Sequence, residues 1–287
     1  IRVLSELFGS HPDTFIRIGV GLTRNSRGGM TVRSILSLAA CLKLFEKGRG
    51  KGVLLFSGAF KGGEEELTHP ELLKTTPRTI NMIQLGEALN TLDPPIKFLF
   101  IFNSNPLVVA PDSGKVRAGL ERSDLFTVVH EHVMTPTARY ADILLPATTF
   151  LENRDVYTSY GNFFMGIGER VIPPIGESIS NFELFQTFAK KMDFRDSVFQ
   201  QTLDERIDNY MEKLSGLPDG FSMKEYRDGQ YIKSRYDAGG AEGFEAQKRK
   251  FDFRNESFDG SGGVAKLLVS KEYDDSGLSV KFPLKCI

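Results

Sequence analysis

The chain has 287 residues, with 36 lysines and arginines against 37 aspartates and glutamates, a formal net charge of -1. That length holds one large domain or two ordinary ones, and the near-zero charge argues against a general nucleic-acid or membrane-surface role. Cys41 and Cys286 are the only cysteines, which excludes an iron–sulfur or cysteine-rich zinc site within the chain, and no apolar run reaches the length of a membrane span. The chain starts at Ile1 and not Met, and it reads as a fragment of a longer protein.

Taken in order, Phe15–Val20 (FIRIGV) predicts a strand, followed by a loop rich in glycine and arginine. Thr31 is placed to cap a helix whose apolar stripe is Val32, Ile35, Leu36, Ala39, Leu42 and Phe45. Cys41, between Ala40 and Leu42, suits a packing role. The run VLLFSG from Val53 predicts a second strand, and residues 61–78 a polar loop. A helix over 78–92, with Met82, Leu85, Leu89 and Leu92 on one face, stops at Asp93-Pro94-Pro95.

Three short apolar runs follow, Ile96–Phe102, Leu125–Val129 and Ile143–Leu145, with a crossover helix expected over Ser113–Arg122. Each run stops abruptly, at Asn103-Ser104-Asn105-Pro106, at His130-Glu131-His132 and at Pro146. Runs of this kind suit strands buried on both faces of a parallel sheet. The alternation predicts an α/β fold with a doubly wound, mostly parallel, Rossmann-like sheet over 1–150.

Residues 151–180, with glycine and proline every few positions, read as an extended return segment, and 181–287 as helices and an irregular tail. Ser180 with Glu183 and Thr202 with Glu205 are capping boxes that open two helices. From Gly216 to Gly263 the sequence predicts surface loops, and Val264–Ser270 and Leu278–Phe282 isolated strands.

Ligands of open α/β sheets bind past the carboxyl ends of the strands, so the polar stops are the candidate site. Asn103 and Asn105 alternate to one side of the chain and can read the edge of a heterocycle. Glu131 is a carboxylate acceptor at a strand end. His130-Glu131-His132 fails the zincin pattern, because position 134 is Met134. The loop with Gly21, Arg24, Arg27, Gly28 and Gly29 lacks a complete nucleotide fingerprint, yet it can offer N–H groups and guanidinium to an anion or remain a solvated turn.

These residues together are similar to the molybdopterin oxidoreductases of the DMSO reductase family. The resemblance rests on FIRIGVGLTRNSRGGMTVRSILSLAACL, FNSNP, DLFTVVHEHVMTPTARYADILLPATTFLE, YGN and PPIGES-x-SNFELF, over roughly residues 15–190, with Asp124 to Glu152 the most specific run. It implies a bis(molybdopterin guanine dinucleotide) cofactor carrying molybdenum or tungsten, and two-electron chemistry on a small-molecule redox substrate, with an electron-transfer partner. It further implies a 4Fe-4S cluster and the metal ligand in an N-terminal region, and a C-terminal barrel whose entry KFPLKCI resembles.

By position, the resemblance gives cofactor contacts to Val20, Gly21 and Arg24, to Asn105, to His130 and Glu131 at the guanosine, and to Asn153 and Asn181. His-Glu stands where many members have Ser-Asp, and Arg24 where glutamine is common. On this reading the isolated fragment is inactive and metal-free, and Arg24, Asn105 and Glu131 converge on one sheet edge. The alternatives are a non-catalytic relative, like the large iron–sulfur subunit of respiratory complex I, and an α/β interaction domain.

Overall fold

A computed structural model describes residues 2–11, 13–23, 28–45, 52–54, 60–158 and 163–235, with isolated positions 253, 277 and 280. In order, the elements are α1 (Arg2–Ser10), β1 (Ile16–Arg17), α2 (Gly28–Cys41), β2 (Val53–Leu54), α3 (Glu64–Thr68), α4 (Leu85–Thr91), β3 (Phe98–Phe102), α5 (Pro106–Val109), α6 (Ser113–Leu120), β4 (Phe126–Glu131), β5 (Ile143–Pro146), β6 (Asp155–Thr158), β7 (Phe164–Gly168), α7 (Asn181–Lys191), α8 (Leu203–Glu212), α9 (Met223–Arg227) and β8 (Ile232–Lys233).

The three apolar runs form the parallel sheet β3-β4-β5, as their shortness and polar stops predict. Side chains alternate across it. Ile101 and Val129 point to one face, where Leu107 of α5, Val116 and Leu120 of α6 and Ala138 close a core. Helix α4 packs closely on α6: a Cβ on Gly119 would lie 2.5 Å from the Leu89 Cβ. On the other face, Phe100 and Phe102 meet Phe185 and Phe188 of α7 edge-on, with centroids 5.1–5.8 Å apart. Helices therefore cover both faces, the doubly wound α/β arrangement.

Burial on both faces holds only for the central strand. Thr127 to His130 of β4 are buried, whereas Phe98 is 58% exposed and Phe126 and Ile143 are also exposed. Helix α7 reaches the Phe100–Phe102 end alone, and the stacked Phe98–Phe126 pair lies beyond it.

Several local expectations change. The strand over 15–20 shrinks to Ile16–Arg17, paired in parallel with Val53–Leu54. Helix α2 starts at Gly28, so Thr31 lies within its first turn. Cys41 is exposed at its end, not packed. The helix expected over 78–92 is shorter, because Arg78 folds back to donate to the Pro94 carbonyl at 3.1 Å and Asn81 caps a 3-10 turn before α4. The polar loop contains α3.

Within the stretch read as an extended return segment, residues 155–158 and 164–168 form the antiparallel pair β6–β7, extended by β8. Its inner face carries Met165 and, from β8, Ile232 into a second core with Ile207, Met211, Leu214 and Tyr226. The segment 216–235 is thus folded, with Tyr226 fully buried. Both capping boxes are formed. The two strands expected in 264–282 lie outside the described residues.

Candidate functional site at the carboxyl edge of the parallel sheet

The register sets the geometry. Phe102 pairs with His130 and His130 with Leu145, while Glu131 pairs with Pro146, so the three strands end level. Asn103, just past β3, takes a left-handed backbone (φ 51°), a region asparagine tolerates better than most residues. Pro106 then opens α5, with Asn105 at its N-cap. The Asn105 side chain does not cap that helix. Its Oδ1 instead accepts from the Thr137 hydroxyl at 2.6 Å, and the same hydroxyl accepts from the Leu107 N–H at 3.0 Å. Thr137 is fully buried, so the turn after β4 orients the amide after β3. Among the described residues, the Asn105 Nδ2 makes no hydrogen bond.

Glu131 closes β4. One carboxylate oxygen accepts from the His132 N–H at 2.8 Å, and the other has no partner among the described residues. His130 behaves differently. It is 1% exposed, its Nδ1 lies 3.3 Å from the Leu145 carbonyl, and its Nε2 is buried without a partner among the described residues. Burial pushes its pKa below the usual histidine range. It is therefore a neutral ring donating from Nδ1, placed beneath the edge, where it ties β4 to β5. His132 is half-exposed beyond the strand end.

The return segment completes the edge. Ala147 pairs in parallel with Ile179, and the Thr148 N–H donates to the Ile179 carbonyl at 3.2 Å. Glu152 is buried and accepts from the Thr149 N–H, the Thr149 hydroxyl and the Ile175 N–H, each at 2.7 Å. These donors hold its carboxyl below the usual range. The Thr148 hydroxyl donates to Asn153 Oδ1 at 2.6 Å. Asn181, the first residue of α7, donates from Nδ2 to Asn103 Oδ1 at 3.1 Å.

Asn105, Glu131 and Asn181 thus gather at the strand ends, with Asn153 on the turn after β5. Val20 and Gly21 sit in a separate exposed 3-10 turn between β1 and α2, and no strand pairing joins β1–β2 to the β3–β5 sheet among the described residues. Arg24 lies outside the described residues. Asn103 was read as able to meet a heterocycle and instead accepts from Asn181, and two further residues that shape the edge, Thr137 and Glu152, were not among the predicted contacts. The partners of these three lie 78, 32 and 23 positions away, and only the motif around Thr137 and Glu152 hinted at them. The edge offers a carboxylate with one oxygen, and the Asn105 amide with its nitrogen, unengaged among the described residues. Among the described residues no three His, Cys, Asp or Glu side chains are grouped to hold a metal ion, and no helix is long and apolar enough to cross a membrane.

The profile of the family described as molybdopterin oxidoreductase matches residues 8–191. The probable oxidoreductase YoaE of Bacillus subtilis is 46% identical over 194 residues, covering 67% of this chain and 28% of that protein. The F420-dependent formate dehydrogenase subunit alpha of Methanocaldococcus jannaschii is 25% identical over 238 residues, 77% of this chain and 35% of its own length. The dimethyl sulfoxide/trimethylamine N-oxide reductase of Rhodobacter capsulatus is 33% identical over 101 residues, 34% of this chain and 12% of that enzyme. The chain spans about a third or less of the length of these relatives. With a matched family profile over more than half its residues and reductases and dehydrogenases among its relatives, the chain belongs to the molybdopterin oxidoreductases of the DMSO reductase family.

Proposed function

We propose that the whole protein is a molybdenum or tungsten oxidoreductase acting on a small-molecule substrate, and that this chain holds the guanine dinucleotide part of a bis(molybdopterin guanine dinucleotide) cofactor. The observation that carries the proposal is the placement of Glu131 at the end of β4 and of Asn105 just past the end of the adjacent β3, each with one hydrogen-bonding atom unengaged among the described residues. Guanine presents N1–H and N2–H₂ on one edge, and a carboxylate is the acceptor that suits both. Glu131 has one oxygen open and a second shared only with a backbone N–H. Asn105 adds an amide donor for a ribose or phosphate oxygen, held in one orientation by Thr137. The donor set therefore fits the group.

The bound metal supplies the two-electron redox chemistry, and this chain's residues bind and orient the cofactor. His130 keeps β4 and β5 level from below. Asn181 and Asn153 frame the edge from the return segment, and Val20 and Gly21, with Arg24 beyond them in sequence, are assigned to pyrophosphate. A 4Fe-4S cluster takes four thiolates, and Cys41 and Cys286 are the only two here. Such a cluster, the metal ligand and the electron-transfer contacts are assigned to other parts of the protein.

The test is Glu131→Gln in the whole protein, with guanine nucleotide released by acid hydrolysis counted per polypeptide. The substitution keeps shape and loses charge and an acceptor. Hydrogen bonds to charged groups contribute about 1.5–3 kcal/mol, so retention should fall about ten-fold or more. Wild-type guanine content in the variant would remove Glu131 from the site.

A further inference from the structure

The small antiparallel sheet has one face in the second core, and its other face carries exposed aromatic rings. Directly paired residues share a face. Tyr157 pairs with Gly166 and Phe164 with Lys233, so by alternation Phe164, Gly166 and Gly168 of β7 lie on the face opposite Met165 and Ile167. Tyr231 shares this face with Lys233, two residues on.

Two bare glycines make room for these rings. A Cβ on Gly166 would lie 2.7 Å from the Tyr231 ring, and a Cβ on Gly168 would fall on the ring of Tyr157. The two phenol rings therefore rest on the strand backbone. Tyrosine over glycine also stabilises a sheet, but that role asks only for the inner side of each ring. Tyr231 remains 78% exposed, and Tyr157 and Phe164 are more than 40% exposed. Together they line a cleft of about 490 Å³, within the range of small-molecule sites. Lys233 is exposed at the Phe164 end and makes no ion pair or hydrogen bond among the described residues.

We infer that this cleft binds a small planar heteroaromatic molecule carrying an anionic group, its ring stacked on Tyr231 and Tyr157 and its anion at Lys233. Shape selects the ring, because phenol rings that rest on the glycine backbone leave their outer sides to a flat ligand. Charge places the anion at the Lys233 end, because Lys233 makes no ion pair among the described residues and Asp155, paired with Gly168, puts a carboxylate at the opposite end of the face. The site lies on β6–β7–β8 and does not depend on the reading of the β3–β5 edge.

The probe is flavin mononucleotide, titrated into the full chain while its fluorescence is followed, with riboflavin as the comparison ligand. Stacking on tyrosine quenches the flavin, and one saturable site per chain is expected. Tyr231→Ala should weaken binding about ten-fold, in line with the worth of one ring-on-ring stack, and Tyr231→Phe should keep it. Riboflavin should bind about two- to five-fold more weakly than the mononucleotide, and Lys233→Gln should erase that difference. Absence of saturable quenching, wild-type affinity in Tyr231→Ala, or equal binding of riboflavin and the mononucleotide would each overturn the inference. Tyr231 is exposed, so its loss should leave the fold intact, and unchanged guanine content in the same variant of the whole protein would separate this site from the strand-end one.

Discussion

Replacing Thr137 by valine should damage fold and site together, and the size of the effect follows from the contacts. The Thr137 hydroxyl is fully buried, donates to Asn105 Oδ1 and accepts from the Leu107 N–H. Each neutral hydrogen bond contributes roughly 0.5–1.5 kcal/mol net, and stranding a buried N–H costs about 1–3 kcal/mol. Thr137→Val keeps the size but loses both bonds and leaves the Leu107 N–H, itself in a buried residue, without a partner. The expected loss is about 2–4 kcal/mol. Thr137→Ser keeps both bonds and removes one methyl, for about 1 kcal/mol. In urea denaturation of this chain, the valine variant should melt about 1 M earlier than wild type, with serine in between and nearer wild type. In the whole protein, the valine variant should also lose guanine nucleotide, since the Asn105 amide is then free to rotate. A valine variant as stable as the serine one would refute the hydrogen-bond argument, whatever its effect on the cofactor.

Other outcomes follow from the same structure. The Tyr226 hydroxyl is buried without a partner among the described residues, and burial pushes its pKa well up, so Tyr226→Phe should leave urea stability unchanged or raise it by up to about 1 kcal/mol; a loss of 2 kcal/mol or more would show a partner that this account lacks. His130 has a folded pKa below its unfolded one, so the unfolded chain binds the extra proton. Its contribution is present above the ordinary histidine range of about 6.5 and is lost as pH falls through the folded pKa. The urea midpoint should drop from pH 7 to pH 5, and His130→Gln should flatten that slope; equal slopes would remove His130 as the cause. Gly119→Ala should destabilise by about 2 kcal/mol or more, because its Cβ meets Leu89 at 2.5 Å across the α4–α6 contact, whereas Gly114→Ala, in open space apart from Asp112 at 3.8 Å, should not.

Much of the parallel sheet was legible because each strand is a short apolar run with a sharp polar stop, and the stops became the site. The capping boxes at Ser180 and Thr202 were legible for a similar reason, since the four groups that make each box lie within four residues of one another. What was hidden depends on distant partners. Gly166 and Gly168 read as breakers, but they are bare because Tyr231 and Tyr157 rest on them. Arg78 has helical spacing and yet folds back on the chain 16 residues later. The side of β3 at Phe98 reads as core, and nothing among the described residues covers it. At the site, Glu131 and Asn105 could be named from their positions after apolar runs, whereas Thr137 could not, because its role is to bridge two strand ends that sequence does not show to be adjacent. His130 was read as a contact, and its depth beneath the edge became visible only with the register of β4 against β5.

The central claim is that Glu131 and Asn105 form the guanine end of a cofactor site, and a structure of the whole protein with its cofactor bound measures it directly. The distance to record is from the Glu131 carboxylate to the nearest guanine. The account predicts a guanine edge within about 2.7–3.1 Å of that carboxylate, with Asn105 still bonded to Thr137. A guanine lodged away from the carboxyl ends of β3 and β4, with Glu131 facing water, would contradict it.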